Sequence, residues 1–351
     1  MPVDLITLSE DGLYCPAGDF HIDPWNAVPR AVVTHAHTDH ARWGCGKYLV
    51  AAPGLHLFRT RLGKDADITT VPHGEVVDHN GVRVSFHPAG HVLGSAQIRL
   101  EHCGEVWVVT GDYKLDPDPT CLPFEHVRCH TFITESTFAL PVYRWETADV
   151  LFGGVNGWWR ANRAAGKCSI VYAYALGKAQ RVMAGVDASI GPIYTHGAVE
   201  KVTRAYRDSG VELPPTTPVS EVVAGAKEKG KGKSKAKPWA GALVIAPPSA
   251  DGSPWAKKFE PKSEAFASGW MCVRGARRRR AIDRGFVLSD HADWPGLLTA
   301  VKESGATRVL ATHGFASVLA RHLREQGLDA DVIATRYGDD DTADAGEEAE
   351  A

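Results

Sequence analysis

Nowhere in this 351-residue chain does an apolar run approach the roughly 18 to 20 residues that cross a bilayer. Residues Met1 to Glu10 also lack the basic start and apolar centre of a secretory signal. A cytoplasmic protein with no membrane partner is therefore expected. The seven cysteines are odd in number and contain no C-x-x-C spacing. That argues against a disulfide framework or a thiolate zinc site and for reduced thiols. No internal repeat recurs at a fixed period.

A hydrophobic content of 44% can supply a sizeable core, and sixteen histidines is a high count, several of them in glycine-flanked settings. The formal net charge of −3 conceals an asymmetry: residues 141–285 hold 24 Lys+Arg against 12 Asp+Glu, or +12, leaving −15 for the remainder. Part of that acidity is the tail 339–351, with seven carboxylates and no basic residue, which reads as a solvated disordered end.

From Leu5 to Asp112, β-branched runs alternate with Gly, Pro and Asp turns, and strands are expected at Ala31 to Thr34, Val82 to Phe86 and Val106 to Thr110. The last is continuously apolar, which suits a central strand covered on both faces. Helices are expected at Trp145 to Ala165 and Lys178 to Ser189. Residues 227–237, lysine-rich and of low complexity, read as a flexible loop that cannot pack a core. Further strands are expected at Ala242 to Ala246, Phe286 to Ser289 and Arg308 to Thr312, as if the chain leaves a first domain and returns to it. An α/β sandwich with helices outside fits this pattern.

The chemistry concentrates in His35-Ala36-His37-Thr38-Asp39-His40. In an extended segment residues i and i+2 point to one side, so His35 and His37 can grip one metal while Asp39 and His40 face a second position. Remaining ligands should follow other apolar strands: His91 among glycines, Asp112 after Gly111, and His313 before Gly314. A buried, unpaired Asp112 would be costly unless a cation or donor met it. These nitrogen and oxygen donors suit Zn²⁺ and tolerate Mn²⁺. Two ions about 3.5 to 4 Å apart, bridged by Asp112, can clamp both oxygens of a phosphodiester displacement.

The run His35, His37, Asp39, His40 resembles the H-x-H-x-D-H signature of the metallo-β-lactamase superfamily. Glu135 in Thr134-Glu135-Ser136-Thr137, His291 in Ser289-Asp290-His291-Ala292-Asp293, and His313 in Thr312-His313-Gly314 are similar to the three further motifs of its β-CASP nucleases. That group includes Artemis-type DNA nucleases, RNase J and the pre-mRNA cleavage endonuclease. The phrases Leu13 to Phe20, Tyr174 to Arg181 and Gly285 to Trp294 resemble bacterial ligase-associated DNA exonucleases.

The resemblance implies an αββα metallo-β-lactamase sandwich, 1–140 and 286–338, carrying an inserted β-CASP cap, 141–285. It implies two divalent ions, Zn or Mn, one on His35, His37 and His91 and one on Asp39, His40 and His313, with Asp112 bridging. Asp23 would orient the histidines, with Asp19 its rival; Glu135 and His291 would form a carboxylate–imidazole pair at the scissile phosphate. The implied activity is that of a single-strand-preferring DNA exonuclease in DNA repair, associated with a DNA ligase and a helicase. An RNase is the alternative, and a small-substrate lactamase or thioesterase a third reading. The basic cap, Lys178 and the run Arg277, Arg278, Arg279, Arg280 favour a phosphate backbone lying between cap and metal domain over a small ester.

If those arginines lie on a strand, alternate members face the substrate. Neutralising one pair, 277/279 or 278/280, should weaken DNA binding and lower the salt slope by about 0.7 per lost phosphate contact. Titration of a labelled strand at several salt concentrations measures this; two silent pairs would remove the charge-based support.

Overall fold

The computed structural model describes residues 4–228, 238–273 and 282–334. They divide into two compact units, one running through Arg144 and resuming at Asp290, the other Trp145–Ser289.

In the first unit, β-branched runs bounded by turn residues build two sheets. One is six-stranded, in the order Thr7–Ser9, Gly12–Cys15, Phe20–Ile22, Arg30–Val33, Lys47–Ala51, Ile68–Val71. The other is seven-stranded, in the order Asp329–Val332, Arg308–Thr312, Thr131–Glu135, Glu105–Val109, Ala96–His102, Val82–Pro88, Val76–His79. Ile22, Val32 and Val71 of the first share a core with Val84, Ile98, Val109 and Ile133 of the second. Period-two alternation sends Val108, Phe132 and Val309 to the opposite face. There they meet Leu297 and Val301 of helix Trp294–Ser304 and Leu319 and Leu323 of helix Ala316–Glu325. The strand Glu105–Val109 is thus covered on both faces, as its unbroken apolar run requires. The arrangement is the αββα sandwich expected from the motifs.

The second unit holds a six-stranded sheet in the order Thr216–Pro218, Ile193–Thr195, Leu243–Ala246, Cys168–Tyr172, Lys262–Ala267, Arg284–Phe286, every neighbour parallel. Parallel sheets need both faces covered. One face packs on Leu151, Val155 and Trp159 of helix Ala148–Ala164 and on Val182 and Met183 of helix Lys178–Gly185. The other packs on Val219, Phe259 and Met271. The fourfold spacing of Leu151, Val155 and Trp159 keeps them on one side of their helix.

Two expectations differ from the structure. Phe286 ends a strand of the second unit instead of opening one of the first: Ala265, Phe266 and Ala267 pair with Arg284, Gly285 and Phe286, and Phe286 and Leu288 are buried in the second unit's core. The lysine-rich stretch begins inside a helix, Val219–Glu228, and its remainder lies outside the described residues, as do Arg277 to Arg280 and the acidic tail 339–351. All seven cysteines are free. Among the described residues no helix is long and apolar enough to cross a membrane.

Trp159 is fully buried, and its indole nitrogen donates to Gly241 O at 3.1 Å. Trp159→Ala should therefore cost about 3 to 5 kcal/mol, read from urea unfolding by circular dichroism; a loss below about 1 kcal/mol would show that the surrounding side chains close over the vacated space.

Candidate metal centre

The sequence-expected ligands all fall where strands of the first unit end. His35 and His37 follow Arg30–Val33, His91 follows Val82–Pro88, Asp112 follows Glu105–Val109, and His313 follows Arg308–Thr312. Two glycines allow this crowding. A Cβ on Gly111 would lie 2.6 Å from Thr34 Cβ, and one on Gly314 would lie 2.6 Å from Thr137 Cα; both adopt positive φ.

His35 Nε2 and His91 Nε2 each lie 3.0 Å from His37 Nδ1. Asp112 Oδ2 stands 3.5 Å from His35 Nε2, 3.7 Å from His91 Nε2 and 3.4 Å from His40 Nε2. The ligand atoms of His35, His37, His91 and Asp112 lie within 4.8 Å of one another, and all four residues are buried. Asp112 therefore touches both groups of histidines. Beside it a cavity of about 40 Å³ is lined by Asp39, His40, Asp112, Glu135 and His313, room enough for an ion or a water molecule. The His40 and His313 rings stack there with centroids 5.9 Å apart, and Asp39 Oδ2 lies 3.4 Å from His40 Nε2.

Hydrogen bonds set the tautomers. His40 Nδ1 donates to Asp23 Oδ2 at 2.7 Å, His91 Nδ1 to the Asp290 carbonyl at 2.8 Å, and His35 Nδ1 to Thr34 Oγ1 at 3.0 Å. Each such bond turns the lone pair of Nε2 inward. Asp23 also accepts from Thr34 N and Thr34 Oγ1 at 2.8 and 2.6 Å, and adopts φ 44°. Asp19, the rival for this position, is exposed and paired with Arg30 and Tyr14 instead. Sequence reasoning passed over Thr34 and the Asp290 carbonyl. The available signal was position alone, Thr34 beside His35 and Asp290 beside His291.

Burial holds His35 far below the usual imidazole range and brings His91 down to about 4, so both are neutral donors. Burial also opposes charge on His40, but Asp39, Asp112 and Asp23 outweigh it and raise its affinity for a proton well above the ordinary value. His40 Nε2 is buried and, among the described residues, makes no hydrogen bond, with carboxylate oxygens of Asp39 and Asp112 each 3.4 Å away. A field that draws a proton to that atom draws a cation equally well. Converging imidazole lone pairs, a buried carboxylate and an inward nitrogen left without a hydrogen bond among the described residues fit a divalent ion.

His291 Nδ1 lies 3.1 and 3.0 Å from the two oxygens of Glu135. Tyr113 N and Thr137 Oγ1 donate to that carboxylate at 2.8 and 2.5 Å, fixing it. Burial disfavours the imidazolium, yet Glu135 and Asp112 together push His291 up to about 10. Lys178, expected among the nucleic-acid contacts, is buried in the second unit, with its ammonium 4.4 Å from the centre of the Tyr174 ring.

A two-sheet sandwich with strand-end histidines around a shared aspartate, in a chain that also carries a parallel-sheet unit, defines a metallo-β-lactamase fold with a β-CASP domain. No protein-family model matches the chain. It is 31% identical over 322 residues, 91% of its length, to a probable DNA ligase of Opitutus terrae, and covers 30% of that protein. It is 29% identical over 192 residues, 48% of its length, to the endoribonuclease ysh1 of Aspergillus fumigatus, and covers 22% of it. The chain thus spans less than a third of either relative. A protein of unknown function from Enterococcus faecalis V583 shares the fold, with a TM-score of 0.57 at 10% identity over 88% of this chain and 80% of that one. The chain is a relative of the β-CASP metallo-β-lactamase proteins and carries a buried His/Asp metal site.

Asp23→Asn should lower metal affinity about 10- to 100-fold by releasing the His40 ring, whereas Asp19→Asn should not alter it. Competition titration with a metal-sensitive dye distinguishes the two, and equal affinities for both variants would remove Asp23 from this role.

Proposed function

We propose that this chain is a two-metal phosphodiesterase acting on nucleic acid, with single-stranded DNA its preferred substrate. The observation that carries the reading is Asp112 Oδ2, within 3.4 to 3.7 Å of His40, His35 and His91. A carboxylate placed between His40 on one side and His35 and His91 on the other could serve both halves of a two-ion site. In this reading His35, His37 and His91 would hold one ion and Asp39, His40 and His313 the other. The donor set, imidazole and carboxylate without thiolate, suits Zn²⁺ or Mn²⁺. Bound ions supply Lewis-acid polarisation of a phosphodiester and make water acidic near neutral pH.

The protein's own groups supply the rest. Glu135 anchors Nδ1 of His291, and Nε2 of the same ring, 3.7 Å from Asp290 Oδ1, would hold a proton for the departing oxygen or meet developing charge. Asp23 and Thr34 keep His40 and His35 in one orientation while the charge distribution changes. The basic region 141–285 attracts a polyanion. DNA is favoured because the match that extends over 91% of the chain is to a probable DNA ligase, whereas the endoribonuclease matches 48%. A place beside a DNA ligase accords with that relative's name, and the exonuclease mode, the helicase, the role in DNA repair and the cytoplasm are proposed on the motif resemblance alone. RNA as substrate is the reading that the endoribonuclease favours.

Metal-stripped protein reconstituted with Mn²⁺, Zn²⁺ or Mg²⁺ should cleave end-labelled single-stranded DNA faster than RNA of matched sequence. Asp112→Ala should abolish cleavage, and near-normal turnover at saturating metal would refute the shared-carboxylate reading. His291→Ala should lose about 10² to 10⁴ in rate with its metal content intact; loss of metal would make His291 a ligand.

A further inference from the structure

Directly after the ligand His40 the chain reads Ala41-Arg42-Trp43-Gly44-Cys45-Gly46-Lys47, with two cations and no anion. Trp43 is 74% exposed, while Arg42 and Lys47 are exposed on either side of it in the chain. Tryptophan is highly buried on average, and this indole makes no hydrogen bond and no ring contact among the described residues. The loop that presents it is nevertheless fastened at both ends. Ala41 N donates to His37 O at 2.8 Å, and Tyr48 Oη donates to Arg42 O at 2.7 Å while accepting from Cys45 N at 2.9 Å. Gly46 N and Lys47 N then donate to Val28 O and Pro29 O at 2.9 and 3.0 Å. A rigid turn thus holds a large planar side chain in solvent, where it contributes nothing to the core.

Trp43 lies three positions after His40, so their Cα atoms lie at most about 11 Å apart. We propose that Trp43 is a base-stacking contact, with Arg42 holding the adjoining phosphate, that seats one nucleotide of a single strand near the metal centre. An aromatic face beside cations is how proteins bind single strands irrespective of sequence, since every base has a π-face and every linkage a charge. The flanking residues, Arg42 and Gly44, supply a cation and a bend, Gly44 adopting φ 91°. The inference rests on the nucleic-acid reading above, yet it concerns binding and is testable without turnover.

The test is fluorescence anisotropy of the full chain in EDTA with a short dye-labelled single strand, in DNA and RNA versions, and with the same strands carrying one abasic position moved stepwise along them. Trp43→Ala should weaken binding of the intact strand about 5- to 100-fold, and Trp43→Phe should recover most of that. At one abasic position the difference between wild type and Trp43→Ala should vanish, because the stacking partner is gone. Arg42→Gln should lower the salt slope of binding by about 0.7. Equal affinities of wild type and Trp43→Ala for the intact strands overturn the proposal, as does an undiminished Trp43→Ala penalty at every abasic position, or a wild type that binds neither strand. Binding that depends on Trp43 without cleavage after metal loading would instead overturn the phosphodiesterase reading and leave this one standing.

Discussion

The carboxylate of Asp112 sits in a buried pocket within 3.7 Å of three imidazole nitrogens, and the rest of the first unit is arranged around that concentration of charge. Isolated, such a group would cost several kcal/mol to desolvate. It is sustained by positive charge drawn to the same place, whether a proton on His40 or a divalent ion. Every neighbouring contact serves that balance. Asp23 turns His40, the Asp290 carbonyl turns His91, and Thr34 links Asp23 to both His35 and His40.

Backbone geometry follows from the same constraint. Side chains from separate strands meet here where the chain turns sharply at strand ends, and Asp23, Gly111, His313 and Gly314 adopt positive φ at those turns. For the non-glycine residues this conformation is disfavoured, and the two-sheet core, with buried side chains from both sheets, is what holds it. Fold stability and site geometry are therefore coupled, because the strand ends that carry these side chains are held by that core.

The second unit has a different physical character. Its parallel sheet is covered on both faces by helices and loops, its region of the sequence is strongly basic, and Lys178, the described residue expected to contact phosphate, is buried over an aromatic ring. A charge count alone overstates how many of its cations stand ready for a polyanion. Burial separates cations placed for a structural purpose from those free to attract.

Much of the site was legible in the residues because its signals are local. His35, His37, Asp39 and His40 occupy six consecutive positions, and an apolar strand followed by Gly and Asp or His announces Asp112 and His313. Strands such as Val106 to Thr110 were legible for the same reason, since periodicity and turn residues are written within a few positions. What the sequence could not determine is long-range. The choice between Asp23 and Asp19 depended on which carboxylate reached a ring seventeen residues away, and the strand at Phe286 went to the second unit because its partner there is Lys262–Ala267. The Asp290 carbonyl is a backbone group whose role exists only once 199 residues of chain bring it to His91. Sequence records what each residue can donate; only packing decides which acceptor lies within hydrogen-bonding distance.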